Sequence, residues 1–342
     1  MKGKATSNDI AYLAGVSQPT VSRALRGSPT VNEETRRRIL QIAQELNYKV
    51  DKNASSLRSQ QCGTIALLFF EDPTLDDSLI NPFFLSMLGS LTRACALQGY
   101  DLLISFQQLS SNWHMDYQDS KKADGIILLG YGDYLEYRAR LEQLIEKGTH
   151  FVCWGAVQTG QPGISIGCDN FRGGRDITDH LLQCGRRNIA FVGHASDHYP
   201  EFFERYRGYT QALQDSGLPV NAALQIDAFT NEQSGYDAAC RLLDQGIRFD
   251  GMFCASDLIA IGAMRALQDR GLRTPEDVAV AGFDDIPTAR FANPSLTTVH
   301  QDTKVAATLL VDSLLASIHG EPVESHSIVP SLVVRRSTSG HD

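Results

Sequence analysis

"DIAYLAGVSQPTVSRALRGSPTVNEETRRRILQIAQELNY", residues 9 to 48, decides the fold of the first part of the chain. Ser7, just ahead of it, can cap a short helix whose Ile10, Ala11 and Leu13 or Ala14 give an apolar face. Gly15 then permits a tight turn. Ser17 can cap a second helix, Pro19 fits its first turn, where amide donors lack partners anyway, and Val21 and Leu25 face inward at i, i+4. Gln18, Thr20, Ser22 and Arg23 are left facing outward. Two short helices about a glycine turn form a helix-turn-helix, and the second has the length and polarity to enter a major groove. A third helix follows: Asn32 can cap it, Glu33 and Glu34 favour its positive start, and Ile39, Ile42, Ala43 and Leu46 recur at helical spacing.

Charge separates this segment from the rest. Residues 1 to 60 hold ten Lys and Arg against five Asp and Glu, or +5, which leaves 21 against 35, or −14, for the remainder of a chain of net charge −9. A basic head on an acidic body implies a polyanion contact made by the head alone, because the body repels phosphate. The 342 residues, 42% hydrophobic and 21% charged, are those of a soluble globular protein of two or three domains. No run of eighteen apolar residues exists, and the first residues hold no apolar stretch that could direct export, so a cytoplasmic location without membrane contact is expected. The seven cysteines are scattered and never form CxxC, which fits reduced, mostly buried thiols.

From residue 64 onward, apolar runs alternate with helical segments: "TIALLFF", "YDLLISF", "DGIILLG", "HFVCWG", "NIAFVGH", "DGMFCAS" and "VAVAGFDD". Continuous apolar strands separated by helices mean parallel sheets covered on both faces. One set runs from about 64 to 165 and a second from about 166 to 295, their helices tending to end in glycine, as at Gly99, Gly148, Gly185, Gly217 and Gly271. Two doubly wound lobes of this kind present a cleft where their C-terminal strand ends converge.

Helical patterning alone fits any small three-helix bundle. The order of residues is more specific: the opening stretch, with AGVS at the turn followed by TVSR, resembles the DNA-binding domain of the LacI/GalR family of bacterial repressors. The resemblance implies that Gln18, Pro19 and Arg23 face base edges, while the hydroxyls of Ser17, Thr20 and Ser22 hold phosphates or fix the helix. Arginine can donate two hydrogen bonds to guanine and glutamine can pair with adenine. Pro19 departs from the polar or small residue often found there and offers only apolar contact. Residues 48 to 60, "YKVDKNASSLRSQ", read as a linker by propensity, although Asp51 could cap a short helix through Leu57. The resemblance instead implies a hinge helix formed on DNA, with Ala54 in the minor groove and Leu57 wedged into a base step. Val50 and Asp51 replace the usual Pro-Asn at its start.

The same resemblance extends over the body, whose family counterpart is similar in fold to periplasmic sugar-binding proteins. The matching stretches are "NPFF" (81–84), "GCDNFRGG" (167–174), "ERYRGY" (204–209), "CASDLIAIGAMRAL" (254–267), "PEDVAVAGFDD" (275–285) and "PSLTTVHQD" (294–302). By that resemblance Asn81, Phe83 and Phe84 lie at the cleft mouth, Arg205 and Asp284 hydrogen-bond a ligand, Ser256 takes a place often held by Asn, and Phe229 or its neighbour stacks. Carboxylate, guanidinium and amide groups grip hydroxyls while rings cover the apolar face of a pyranose. Near Gly155 the family often has a carboxylate, whereas this chain offers Trp154. A sugar effector, such as a glucoside or short oligosaccharide, is therefore expected over a purine or phosphorylated ligand.

Enzyme readings fare worse. Asp284 and Asp285, adjacent after a strand, point apart and lack a defined acidic partner. His194 and His198 have the spacing of a metal pair but lie in a loop without an HExxH glutamate. "NFRGGRD" lacks the lysine and hydroxyl of a phosphate loop, and GxGxxG is absent, so no cofactor is expected. After "SLVVRRSTSGHD" no leucine heptad follows, which with the resemblance implies a homodimer on a palindromic operator. The expected organisation is a small all-α helix-turn-helix head (1–49), a hinge helix (50–62) and an α/β sensor of two doubly wound parallel-sheet lobes (63–342). The N-lobe takes about 63–165 and 296–325, the C-lobe about 166–295 and 326–342. The expected function is an effector-controlled transcriptional regulator, a repressor of carbohydrate genes. The rivals are a purine- or nucleoside-responsive member of the family, a sugar-binding transport protein and a sugar-processing enzyme fused to a DNA-binding head.

Overall fold

The computed structural model describes residues 5–25, 27–48, 61–70, 80–130 and 132–339, and the hinge positions Ala54 and Leu57 lie outside them. The chain divides into two compact units, Met1–Cys62 and Gly63–Asp342.

In the first unit α1 spans Ser7–Ala14, α2 Gln18–Leu25 and α3 Glu33–Glu45. The cap of α1 is Thr6 and not Ser7. Thr6 and Asp9 form a reciprocal box, in which the Asp9 carboxylate accepts from the Thr6 amide at 2.7 Å, so the register of that pair moves the start back by one residue. Gly15 ends α1 in the left-handed region at φ 63°. Of the two alternatives for the inner face, Ala14 is buried and Leu13 is 55% exposed. Ile10, Val21, Ala24, Ile39 and Ala43 close the core, with Leu25, Ile42 and Leu46 packed against it. The guanidinium of Arg36 on α3 donates to the Ser28 carbonyl at 2.6 Å and secures the turn after α2.

The second unit holds two parallel sheets. The first has six strands, β1 (Thr64–Phe69), β2 (Asp101–Phe106), β3 (Gly125–Leu129), β4 (Phe151–Trp154), β5 (Ile164–Cys168) and β11 (His326–Ile328), in the order β11-β5-β4-β3-β1-β2. Helices α4 (Pro82–Leu97), α5 (Tyr134–Glu146) and α10 (Thr303–Ile318) belong to this N-lobe. The second sheet, β7-β6-β8-β9, is formed by β6 (Ile189–Val192), β7 (Gln225–Ile226), β8 (Gly251–Cys254) and β9 (Ala279–Ala281). Its helices are α6 (Asn170–Gln183), α7 (Pro200–Asp215), α8 (Glu232–Asp244) and α9 (Asp257–Asp269). Apart from Thr64 and Ile164, every residue of β1, β3, β4, β5, β6, β8 and β9 is buried, as unbroken apolar runs covered on both faces require.

Three segments differ from the expected lobes. Residues 166–168, expected to open the second set, instead continue β5, whose Ile164 to Ile166 align with Val152 to Trp154 in the first sheet. Residues 296–300, expected in the N-lobe, are bridged to the C-lobe through Ala281 with Thr297 and Asp284 with His300. The stretch 326–328, expected in the C-lobe, pairs in parallel with Ile166 to Cys168. All three follow from strand pairing, which an apolar run does not disclose. The chain thus crosses between lobes three times: from β5 into α6, from β10 (Thr298–His300) into α10, and from β11 through β12 (Ser331–Val333) into α11 (Arg336–Ser339). β10 and β12 pair antiparallel. The C-terminal segment is anchored in the C-lobe, where Ser337 Oγ donates to the Val280 carbonyl at 2.6 Å.

Candidate functional site

On the head, α2 buries Val21 and Ala24 and turns its other side outward. Ser17, Pro19 and Arg23 are exposed, whereas Gln18, Thr20 and Ser22 are half-buried. Gln18 Nε2 donates to Ser7 Oγ at 3.2 Å, and the Ser17 and Thr20 hydroxyls pair at 2.9 Å, so these side chains are held by their neighbours. All six residues expected to face DNA therefore belong to one short stretch of surface carrying one cation, Arg23.

In the second unit a cavity of about 560 Å³ lies between the lobes. Asn81, Phe83, Phe84, Trp154, Arg205, Phe229 and Asp284 all line it, so seven of the eight effector residues expected from sequence converge. Ser256 does not line it. It is fully buried at the start of α9, where its hydroxyl accepts from the Ile259 amide at 3.3 Å, so its oxygen is used as a helix cap.

Helix packing positions the central arginine. Gly174 on α6 and Gly208 on α7 face each other's backbones: a Cβ at Gly208 would stand 2.1 Å from the Phe171 carbonyl oxygen, and one at Gly174 2.2 Å from that of Arg205. Only glycines allow this approach, and it fixes the backbone from which Arg205 projects. The guanidinium is 5% exposed, donates from Nε to Asn170 Oδ1 at 2.9 Å and from Nη1 to the Ala255 carbonyl, and lies 3.7 Å over the Phe283 ring. Nη2 faces Asp284 Oδ1 at 3.9 Å, an ion pair beyond hydrogen-bond length that leaves room for a bridging hydroxyl. Burial lowers the pKa of Arg205, and Asp284 opposes that shift. Burial pushes the Asp284 carboxyl up to about 6, against the pull of Arg205 and of a 2.7 Å hydrogen bond donated by Gln301.

The opposite wall is aromatic. Phe83 and Trp154 lie with centroids 5.9 Å apart, and Phe84 meets Phe83 edge-on at 5.4 Å. Asn81 caps α4 by accepting from the Phe83 amide at 2.9 Å. Sequence reasoning missed His194, Tyr199, Glu201, Phe202, Asn231, Glu232 and Gln301, which also line the cavity. His194 stacks on Tyr199 at 4.1 Å and stands 4.8 Å from Phe229, and burial lowers its pKa against the effect of Asp227. In the sequence the stretch "GHASDHYPE" offers only the spacing of a metal pair. Its histidines instead go to separate carboxylates, His194 to Asp227 at 3.6 Å and His198 to Asp133. Gln301 sat within the matched stretch "PSLTTVHQD" and was legible there as a polar residue just after a strand.

Three hydrogen bonds join the lobes beside the cavity. His198, from the C-lobe, pairs with the Asp133 carboxylate at the start of α5, and its carbonyl accepts from the Tyr134 amide at 2.9 Å. Glu201, in the first turn of α7, accepts from the Ala156 amide beyond β4 at 3.1 Å. Asp284 and Asp285 point apart, as expected: Asp285 pairs with Arg335 at 2.5 Å and His300 at 3.1 Å, away from Arg205. Among the described residues no group of three or more His, Cys, Asp or Glu could hold a metal, and no helix is long and apolar enough to cross a membrane.

A helix-turn-helix head and a two-lobed parallel-sheet body with a cavity between its lobes define a ligand-responsive DNA-binding protein. Residues 6–51 match the family described as bacterial regulatory proteins, lacI family, and residues 178–338 match the periplasmic binding protein-like domain. The HTH-type transcriptional regulator RegA of Clostridium saccharobutylicum is 31% identical over 337 residues, 96% of this chain and 98% of that protein. The HTH-type transcriptional repressor PurR of Histophilus somni is 29% identical over 339 residues, 97% and 98% of the two chains. The solved complex of the transcriptional regulator CelR with cellobiose is 30% identical, covers 97% of this chain and 99% of that one, and superposes with a TM-score of 0.71. The chain belongs to the lacI family of bacterial transcriptional regulators.

Proposed function

We propose that the protein is a cytoplasmic repressor of carbohydrate genes that binds a palindromic operator as a homodimer and is switched by a small sugar. The observation that carries the effector class is the split cavity, with Arg205, Asp284 and Gln301 on one side and Phe83, Phe84 and Trp154 on the other. Hydroxyl-gripping groups facing rings suit a pyranose. The similarity to a regulator solved with cellobiose supports the same class. In this reading the chain is organised as head (1–49), hinge (50–62) and sensor (63–342), it catalyses nothing, and it needs no cofactor. On the head, Arg23, Gln18 and Pro19 face base edges, Ser17, Thr20 and Ser22 serve the phosphates, and Ala54 and Leu57 enter the minor groove. Effector closes the lobes and shifts the hinge population by about 1–3 kcal/mol of coupling.

One observation favours a second reading. His194, Tyr199 and Phe229 form an aromatic cluster able to stack a planar base, and several relatives are named PurR. Calorimetric titration with sugars and nucleobases separates the two: stabilisation by nucleobases alone overturns the sugar assignment. Arg23→Ala should abolish specific binding to a palindrome from the protein's own promoter in a gel shift while leaving the sugar titration intact. Equal loss of both would count against the division of labour.

A further inference from the structure

Resting on the sugar reading above, we propose that the cavity is built to exclude acidic ligands, and that Glu201 and Glu232 are the residues that set this specificity. Uronates, aldonates and sugar phosphates would be rejected in favour of their uncharged counterparts.

A helix start is by default an anion site, since its amides point outward and its dipole is positive there. Four helices begin at this cavity, because Asn81 to Phe84, then Tyr199, Glu201 and Phe202, then Asn231 to Gln233, and Leu258 all line it. Each start carries an acceptor side chain in its cap or first turn. On α4 the Asn81 amide oxygen takes the Phe83 amide, and Pro82 brings no donor. Glu201 and Glu232 place carboxylates in the first turns of α7 and α8. On α9, Ser256 and Asp257 fill the same place, both fully buried.

Arg205 is the sole Lys or Arg among the described lining residues. Its Nε and Nη1 are engaged by Asn170 and Ala255, and Nη2 faces Asp284, so an incoming carboxylate would compete with Asp284 and not find an unmatched cation. His194 adds no compensating charge, since burial disfavours its protonated form. The Ala156 amide holds Glu201 at the wall, at 3.1 Å, and limits its swing into solvent. An anionic ligand would therefore meet three carboxylates, those of Glu201, Glu232 and Asp284, with one guanidinium already matched.

The test is calorimetric titration of the full chain with glucose, galactose, maltose and cellobiose, each beside its uronate and its 6-phosphate. The expected result is that a neutral sugar binds and its acidic counterparts bind at least about 30-fold more weakly, the scale of juxtaposed like charges. The E201Q/E232Q double variant, in which each amide retains an acceptor oxygen, should narrow that ratio by about tenfold, with a melting temperature confirming the fold. An acidic sugar binding as tightly as its neutral partner would overturn the exclusion and leave the sugar reading standing. An unchanged ratio in the double variant would overturn the assignment to these two glutamates. Binding of nucleobases and of no sugar at either charge would bring down the sugar reading, and this inference with it.

Discussion

The two lobes share a fold and contribute opposite chemistry to the cavity between them. From the C-lobe come Arg205, Asp284, Glu201, Glu232 and His194, nearly all of the titratable groups. From the N-lobe come Phe70, Phe83, Phe84, Phe106 and Trp154, rings with one amide at Asn81. The contrast follows from construction. The C-lobe helix pair α6 and α7 approaches backbone to backbone at Gly174 and Gly208, a rigid seat on which a buried charge can be held with its hydrogen bonds made. The N-lobe presents the start of α4 and the end of β4, whose apolar side chains need only packing. The charged groups thus reside on one lobe, beside rings of its own at Tyr199, Phe202 and Phe229, while the other lobe offers rings and a single amide.

The division can be tested from both sides. Arg205→Ala should have the largest effect: it strands the Asp284 carboxylate and the oxygens of Asn170 and Ala255, and loss of one partner of a buried pair costs about 3–5 kcal/mol. Chemical denaturation should show that drop together with loss of effector response; a stable variant that still responds would refute the role given to the C-lobe. Trp154→Ala removes a ring only 7% exposed from the N-lobe wall. It should destabilise by about 3 kcal/mol and weaken every ring-bearing ligand alike, leaving the order of preference among epimers unchanged. A reordered preference would mean that the N-lobe also reads hydroxyls.

Asp284→Asn sharpens the comparison through pH. The carboxyl rises from 3.8 to about 6 on folding, so the native state holds that proton more tightly than the unfolded chain does. Ionising it therefore reduces stability progressively as pH climbs from about 4 to about 6. The variant lacks this loss, and its melting temperature should gain on the wild type across that window and run parallel above it. A constant difference between the two curves would contradict the assignment. His198→Ala, which removes a half-exposed hydrogen bond with Asp133 between the lobes, should cost under about 1 kcal/mol of stability. Its distinguishing effect is a faster effector dissociation rate in stopped-flow measurements, with no change in which ligand is preferred.

Much of this arrangement was legible in the sequence. Unbroken apolar runs such as "NIAFVGH" and "DGMFCAS" announced buried parallel strands, and the family resemblance located seven cavity residues, five of them within the matched stretches. The failures share a physical cause. Ser7 and Ser256 were misjudged because a hydroxyl beside a helix start can cap, point to ligand or do neither, and the outcome depends on which amide it reaches. Thr6 won at α1 because Asp9 completes the box. Residues 166–168, 296–300 and 326–328 sit on the other lobe from the one expected because strand pairing is decided by partners distant in sequence. Glu201 and Glu232 look in sequence like ordinary acids at helix starts. Their place on a shared cavity wall emerges only when α7 and α8 are set side by side.

The triple crossing between the lobes has a mechanical corollary. A single tether would let one lobe swivel in any direction, and two would still allow shear along their common line. Three straps, two running from the N-lobe to the C-lobe and one back, restrain swivel and shear more than one or two would. On the proposed reading, a ligand that draws the lobes together works against that common restraint whatever its own shape.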